Sequence, residues 1–305
     1  MRLNKFLLAC LFLAVTLVSC NKEDDDNPAP VPPRDRGEQE VDDQEALQAY
    51  LETHFYNYEE FENPPEGFDF RLEIDTINAA NADKTPLSES PKLQQKTVRW
   101  EGVDYTMYVL KVREGAAEQP MPKFTDSTYV SYRGELLNQE VFDSSITPTW
   151  FDLTQVVPGF GRALTEFRGA SGYTVRPDNT VDWNNDYGIG AVFFPSGIGY
   201  FNNPTATIPA YSPLVFTFNL YGVNEADHDR DGVPSWMEDL NEDKIIANDD
   251  TDKDGRPNYV DTDDDGDFIP TREEVIIGED GSITFPDGDG DGTPNYLDPD
   301  YVEGQ

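Results

Sequence analysis

The pattern Asp-x-Asp-x-Asp-Gly recurs four times beyond residue 225, and it limits what that part of the chain can become. The copies begin at Asp227, Asp250, Asp261 and Asp287, each with glycine at the sixth position. Carboxylates at alternate positions, followed by a residue that tolerates a tight turn, can wrap a hard cation in oxygens. Without a cation they repel: two unit charges 4 Å apart oppose each other by about 1 kcal/mol even in bulk water. Of the 60 acidic residues in the chain, 27 fall in residues 225–305, against five Lys or Arg. With little apolar material alongside them, these residues predict a separate module organised by metal rather than by a core of its own. The formal net charge of −38 excludes nucleic acid as a partner, because phosphate binding needs clustered Lys and Arg.

The oxygen ligands expected from this spacing are Asp227, Asp229, Asp231 and Glu238 in the first copy, and Asp250, Asp252, Asp254 and Asp261 in the second. An overlapping copy supplies Asp261, Asp263 and Asp265, and the last supplies Asp287, Asp289, Asp291 and Asp298. The spacing fits an EF-hand loop, yet Pro234, Pro257 and Pro294 follow the seventh positions and no flanking helical pattern is present. A proline there has no N–H to donate to a neighbouring loop. The run therefore resembles the calcium-wrapped type 3 repeats of thrombospondins, which implies structural calcium in residues 225–305.

The other end reads as an address. Arg2 and Lys5 precede an apolar run from Phe6 to Val18, too short to span a bilayer comfortably but suited to a secretory leader. The run ends in Leu17-Val18-Ser19-Cys20, which resembles a bacterial lipobox. That resemblance implies a leader over residues 1–19, lipidation of Cys20 and anchoring to a membrane. Residues 20–42 follow as an acidic and proline-rich linker, and its first residues resemble the surface-export signal of Bacteroidetes lipoproteins. The expected location is the cell envelope, at the outer membrane, facing either the periplasm or the surface. Cys10 and Cys20 are the only cysteines, so no disulfide can form in the body of the chain. His54 and His228 are isolated, which leaves little material for a histidine metal site or a Ser-His-Asp triad.

Residues 43–96 carry a helical pattern from Asp43 to Phe55 and a strand-like one from Phe68 to Ile77. Residues 97–224 read mostly as strand, with β-rich runs at Thr106–Val112, Tyr129–Tyr132 and Leu214–Tyr221. A short amphipathic helix is predicted from Phe160 to Phe167, closed by Arg168-Gly169.

Five motifs in this stretch carry a resemblance when taken in order. They are Val130-x-Tyr132-x-Gly134-x-Leu136 with Val141-Phe142-Asp143-Ser144-Ser145; Val156-Val157-Pro158-Gly159-Phe160; Phe193-Phe194-Pro195 through Tyr200; Ile208-Pro209; and Leu214-Val215-Phe216. Together they resemble the FKBP family of peptidyl-prolyl cis/trans isomerases. The resemblance implies an α+β fold, in which a twisted antiparallel sheet wraps one short helix and the irregular acidic tail follows. It also implies an isomerase of proline-containing polypeptides that needs no cofactor for catalysis, or a chaperone-like binding module of the same fold. By resemblance the pocket is formed by Tyr132, Phe142, Phe151, Val156, Val157 and Phe160, with Tyr200, Ile208 and Phe216. Asp143 and the Tyr200 hydroxyl are its polar contacts. Phe160 stands where the family usually has Trp, Trp150 rivals Phe151, and residues 172–190 are an extra segment. Residues 201–204 are expected to form a flap.

The chemistry expected of such a pocket follows from the peptide bond. Rotation about an X-Pro bond must cross a barrier of about 18–20 kcal/mol. Twisting the amide removes its resonance and much of its polarity, so an apolar aromatic cradle binds the twisted form better than either planar one. The plain alternative for each aromatic is core packing, and only the order of the whole set argues against it.

Overall fold

The structure is a computed structural model that describes residues 32–301. The leader, Cys20 and most of the linker lie outside the described residues. From Arg34 onward the chain forms one compact unit. Helix α1 (Arg36–Thr53) runs into β1 (His54–Tyr56), the short α2 (Tyr58–Glu62) and β2 (Ile74–Thr76). Then come β3 (Leu93–Trp100), β4 (Val103–Arg113), β5 (Ser127–Leu136) and β6 (Val141–Asp152). They are followed by α3 (Pro158–Leu164), β7 (Tyr173–Val175), β8 (Val181–Trp183), β9 (Gly188–Phe194) and β10 (Leu214–Asn224). The tail adds only α4 (Thr271–Glu274), β11 (Ile276–Ile277), β12 (Ile283–Thr284) and single 3-10 turns.

Six strands form one sheet in the order β3-β4-β9-β10-β5-β6, and every neighbour is antiparallel. Period-two alternation sorts the residues of β10. Leu214, Phe216, Phe218 and Leu220 pack with Phe160 and Leu164 of α3, whereas Val215 packs on the opposite face with Leu47, Tyr50 and Leu51 of α1. Strand β9 is buried along its whole length because both faces are covered. Burial of Leu47, at 0% exposure, contributes roughly 1.5–3 kcal/mol to holding α1 in place. Asp35 caps that helix by accepting from the Gly37 and Glu38 N–H groups, 2.9 and 3.0 Å away.

Several sequence expectations are corrected here. Helix α1 begins at Arg36, inside the stretch read as linker, and ends before Phe55. Strand β3 begins at Leu93, so the strand-rich stretch read from residue 97 starts inside it. Only Ile74–Thr76 of the predicted Phe68–Ile77 strand forms a ladder, because Phe70 has φ 55° and breaks the extended run. Helix α3 stops at Leu164 rather than Phe167. His54 stacks on Tyr50 at 3.7 Å, with Nδ1 2.9 Å from the Tyr50 carbonyl and Nε2 3.1 Å from Thr76 Oγ1. It is a packing residue, and burial lowers its pKa.

The tail is also not a separate module. Asp126, buried beside β5, accepts from the Ala226 N–H at 3.2 Å. His228 Nε2 lies 3.3 Å from Asp152 Oδ2, Arg162 of α3 donates to the Lys244 carbonyl, and Lys123 sits 4.7 Å from the Trp236 ring centre. These contacts fasten the first tail loop to the side of the sheet that carries α3.

Candidate active site

Between the end of β6, α3 and the β9–β10 connection lies a cavity of about 600 Å³. All ten residues expected from sequence to form the pocket line it: Tyr132, Phe142, Asp143, Phe151 and Val156, with Val157, Phe160, Tyr200, Ile208 and Phe216. Phe160, Phe216 and Ile208 are buried and form the floor. Tyr132, Phe142, Phe151, Val156, Val157 and Tyr200 are half-buried at the walls and mouth.

The local sequence explains the arrangement. Pro158 starts α3 at the position where a missing N–H costs nothing. A Cβ on Gly159 would meet the Phe194 ring at 2.4 Å, so only glycine lets α3 settle on the sheet there. That approach brings Phe160 onto Phe216, with ring centres 4.5 Å apart and planes 24° apart, and Phe194 extends the stack at 5.9 Å. Gly134 plays the same part on β5, where a Cβ would meet Phe142 at 2.5 Å. Phe142 then stands edge-on to Phe216 at 5.3 Å, and Phe151 edge-on to Tyr132 at 5.1 Å. Strand alternation decides between Trp150 and Phe151. Phe151 faces the cavity, while Trp150 is 53% exposed and packs on Tyr129 across the sheet.

The polar groups sit at the rim. The Tyr132 hydroxyl donates to Asp143 Oδ2 at 2.7 Å. Burial, aided by the accepting carboxylate, raises the Tyr132 pKa, so the hydroxyl stays protonated and the Asp143 carboxylate keeps a fixed orientation. Thr205 and Thr207 join the rim, as do Thr154 and Gln155, and sequence reasoning missed all four. The Thr205 hydroxyl accepts from the N–H groups of Thr207 and Ile208 at 3.3 and 3.0 Å, which braces the loop that brings Ile208 to the floor.

The expected flap at residues 201–204 is tied down from behind. Phe201 turns away from the cavity and lies under the Arg36 guanidinium at 4.1 Å. Arg36 also donates to the Gly197 carbonyl at 3.0 Å. On the same helix, the buried Asp43 carboxylate accepts from the Ser196 N–H and hydroxyl at 2.7 and 2.6 Å, and from Gln39 at 2.7 Å. Helix α1 thus anchors the segment that carries Tyr200. The extra segment forms the hairpin β7–β8, whose Trp183 packs on Tyr129 and Tyr221. Those residues face away from the cavity, so the hairpin does not cover it. A second cavity of about 580 Å³ opens on that opposite face, lined largely by polar and charged groups such as Arg133, Glu135 and Asn219.

In the tail, four carboxylate groups gather. They are Asp229, Asp231, Glu238 and Asp264; Asp250, Asp252 and Asp254; Asp263, Asp265 and Asp267; and Asp287, Asp289 and Asp291. Three expected ligands lie outside these groups. Asp227 accepts from the Arg230 and Gly232 N–H groups, Asp261 from Arg256 and the Asp263 N–H, and Asp298 from the Asp300 N–H. Sequence reasoning missed Asp264, Asp267 and the buried Glu274. Burial, then neighbouring carboxylates, pushes Glu238 up to about 10 and Asp264 up to about 9. Both oxygens of Glu238, Asp264 and Glu274 are buried without a hydrogen-bond partner. Such orphaned acceptors fit a hard cation, which an all-oxygen set favours.

Comparison with known proteins bears on both parts. The model of the BamM C-terminal family matches residues 228–283, within the acidic tail, and its description names neither a thrombospondin repeat nor a metal. The FKBP-type isomerase FkpA of Aeromonas hydrophila is 27% identical over 171 residues, covering 54% of this chain and 58% of the relative. The FKBP-type 22 kDa isomerase of Escherichia coli is 31% identical over 137 residues, covering 44% and 59% respectively. The chain therefore spans under two thirds of the length of either relative. Among solved structures, a peptidyl-prolyl isomerase from Pseudomonas syringae matches with a TM-score of 0.34 at 22% identity, covering 45% of this chain and 85% of that one. The described residues form an α+β protein built on antiparallel sheets, and the chain is a homologue of the FKBP-type peptidyl-prolyl cis/trans isomerases.

Proposed function

We propose that the chain catalyses cis/trans isomerisation of X-Pro bonds in polypeptides. The observation that carries this reading is the convergence of six aromatic rings and one oriented carboxylate on a single cavity of about 600 Å³. A proline ring is apolar and flat enough to rest on the Phe160–Phe216 stack. The amide that precedes it would then lie among Tyr132, Phe142 and Phe151, where loss of water favours the twisted, less polar state. Asp143, held by Tyr132, and the Tyr200 hydroxyl are placed to address the flanking peptide groups. No nucleophile and no cofactor enters the reaction.

The site of action we propose is the bacterial envelope, with Cys20 lipidated and the chain held at the outer membrane on the periplasmic or outer surface. The basic start, the apolar run and the Ser19-Cys20 junction support this. We further propose that the acidic loops take up calcium as a structural ion, a reading supported by their orphaned buried carboxylates.

The direct test is a protease-coupled isomerisation assay on the chain from Arg34 onward, paired with binding of an FKBP-type macrolide. Acceleration of X-Pro isomerisation that the macrolide suppresses is the expected result. A folded sample that binds proline-containing peptides without accelerating isomerisation would favour a chaperone-like binding module instead.

A further inference from the structure

One of the acidic groups differs from the others in depth and in origin. Asp229, Asp231 and Glu238 come from the loop that starts at Asp227, whereas Asp264 comes from the loop that starts at Asp261. One oxygen from each of the four lies within 4.8 Å of the others. Glu238 is 0% exposed, and Asp231 and Asp264 are 2% exposed. Six oxygens of this group are buried with no hydrogen-bond partner: both of Glu238, both of Asp264, and the Oδ2 atoms of Asp229 and Asp231. Taking even one carboxylate out of water is costly unless it is paired. Among the described residues, the one Lys or Arg ion pair within the tail joins Arg256 to Asp261, outside this group. With no Lys or Arg paired to the group, either protons or a dissolved cation must neutralise it. Four carboxylate oxygens that converge, within a group that holds six buried and unpartnered ones, suit the all-oxygen shell of calcium and exceed the one or two carboxylates that a water-retaining magnesium ion normally recruits from protein.

The surroundings show what such an ion would secure. Asp231 Oδ1 accepts from the N–H of Val233, which is buried against Val275 and Tyr296. The Asp264 N–H donates to the buried Thr271 hydroxyl at 3.2 Å. Toward the cavity, Ser235 donates to the Ala226 carbonyl and lies 2.8 Å from His228 Nδ1, and His228 reaches Asp152. Asp152 Oδ1 in turn accepts from the N–H and hydroxyl of Thr154, a residue of the pocket wall.

We propose that Asp229, Asp231, Glu238 and Asp264 bind one calcium-class divalent cation shared by two loops, and that this ion fastens the tail against the Asp152–Val156 wall of the pocket. The inference rests on the reading that the acidic loops take calcium, and it adds Asp264 as the ligand that closes the site across the two loops. The ion acts by position alone: it touches no reacting atom.

The test uses the chain from Arg34 onward, stripped by chelator and titrated with calcium, with the count and affinity read by calorimetry and local order by hydrogen exchange. Asp264→Asn should abolish one site or weaken it by about tenfold or more. It should also raise exchange in residues 152–164. Asp289→Asn, in the exposed loop at Asp287, should affect its own loop and leave residues 152–164 as they were. In the unmodified chain, protection of residues 229–238 and 261–267 should set in at one calcium concentration, a readout that stands even where Asp264→Asn fails to fold. Calcium uptake with an unchanged count and affinity in Asp264→Asn, or with separate midpoints for the two segments, overturns the shared site while leaving calcium in the loops intact. Absence of calcium uptake by the unmodified chain overturns the underlying reading itself.

Discussion

Asp43 sits on a helix outside the stretch that resembles an isomerase, and its replacement should damage the pocket. The residue is 2% exposed and accepts three hydrogen bonds, two of them from Ser196, which is itself 0% exposed. In Asp43→Ala the Ser196 N–H and hydroxyl lose their acceptor with no water to replace it. Each orphaned buried group costs about 1–3 kcal/mol. Burial raises the pKa of Asp43, so removing the carboxyl recovers part of its own desolvation. The net loss should be about 2–4 kcal/mol, or roughly 5–15 °C in Tm for a unit of this size. Ser196 opens the turn that leads to Tyr200, so kcat/KM should fall about tenfold or more as that wall shifts. The assay is isomerisation at a temperature where the variant is still folded, alongside thermal denaturation. Asp43→Asn, which keeps one acceptor oxygen, should fall between the two. An unchanged Tm in Asp43→Ala would refute the hydrogen-bond reasoning. A lowered Tm with unchanged kcat/KM would refute the link to the pocket.

Three further outcomes are expected. Asp143 is exposed, so Asp143→Ala should cost about 1 kcal/mol or less in stability yet clearly lower kcat/KM by freeing Tyr132; Phe142→Ala should likewise lose more activity than stability, and matched losses in melting and turnover would mark Phe142 as a packing residue only. Burial lifts the Glu40 carboxyl to about 7, so the folded state holds a proton that the unfolded state has released, and stability should fall as pH rises from about 4.5 to 7. Glu40→Gln should flatten that slope and exceed the parent above pH 7 by on the order of 1 kcal/mol, since the group is only half-buried; parallel Tm profiles across that range would contradict this.

The pocket was legible because its members recur as a fixed order of short motifs, each pinned to a strand or helix end. Alternation along β6 even contains the answer to Trp150 against Phe151, once the register with β5 is known. What escaped the sequence lies in contacts between distant segments. Asp43 and Ser196 are 153 residues apart, and nothing local in either sequence announces their bond. Asp264 was missed because alternation picks Asp263 and Asp265, and the residue between them points into a different loop's cluster. The docking of the tail was missed for a related reason. Its acidic composition suggests a solvated module, yet Val233, Ile246 and Tyr296 are buried, and the tail holds the sheet through single contacts at His228, Lys123 and Arg162. Left-handed backbone at Phe70, which ends the predicted strand, is equally invisible to a β-propensity reading.

The central claim is that the aromatic cavity turns X-Pro bonds. The measurement that tests it most directly is the isomerisation rate of a proline-containing peptide in the presence of the chain from Arg34 onward, before and after Phe216→Ala. Phe216 meets Phe160, Phe142 and Phe194 at the floor, so its removal opens the cradle, at a cost to folding of about 3–5 kcal/mol that circular dichroism would register. The account predicts saturable acceleration by the parent, blocked by an FKBP-type macrolide, and its loss in a variant that remains folded at the assay temperature. A correctly folded parent that leaves the uncatalysed rate unchanged would contradict it.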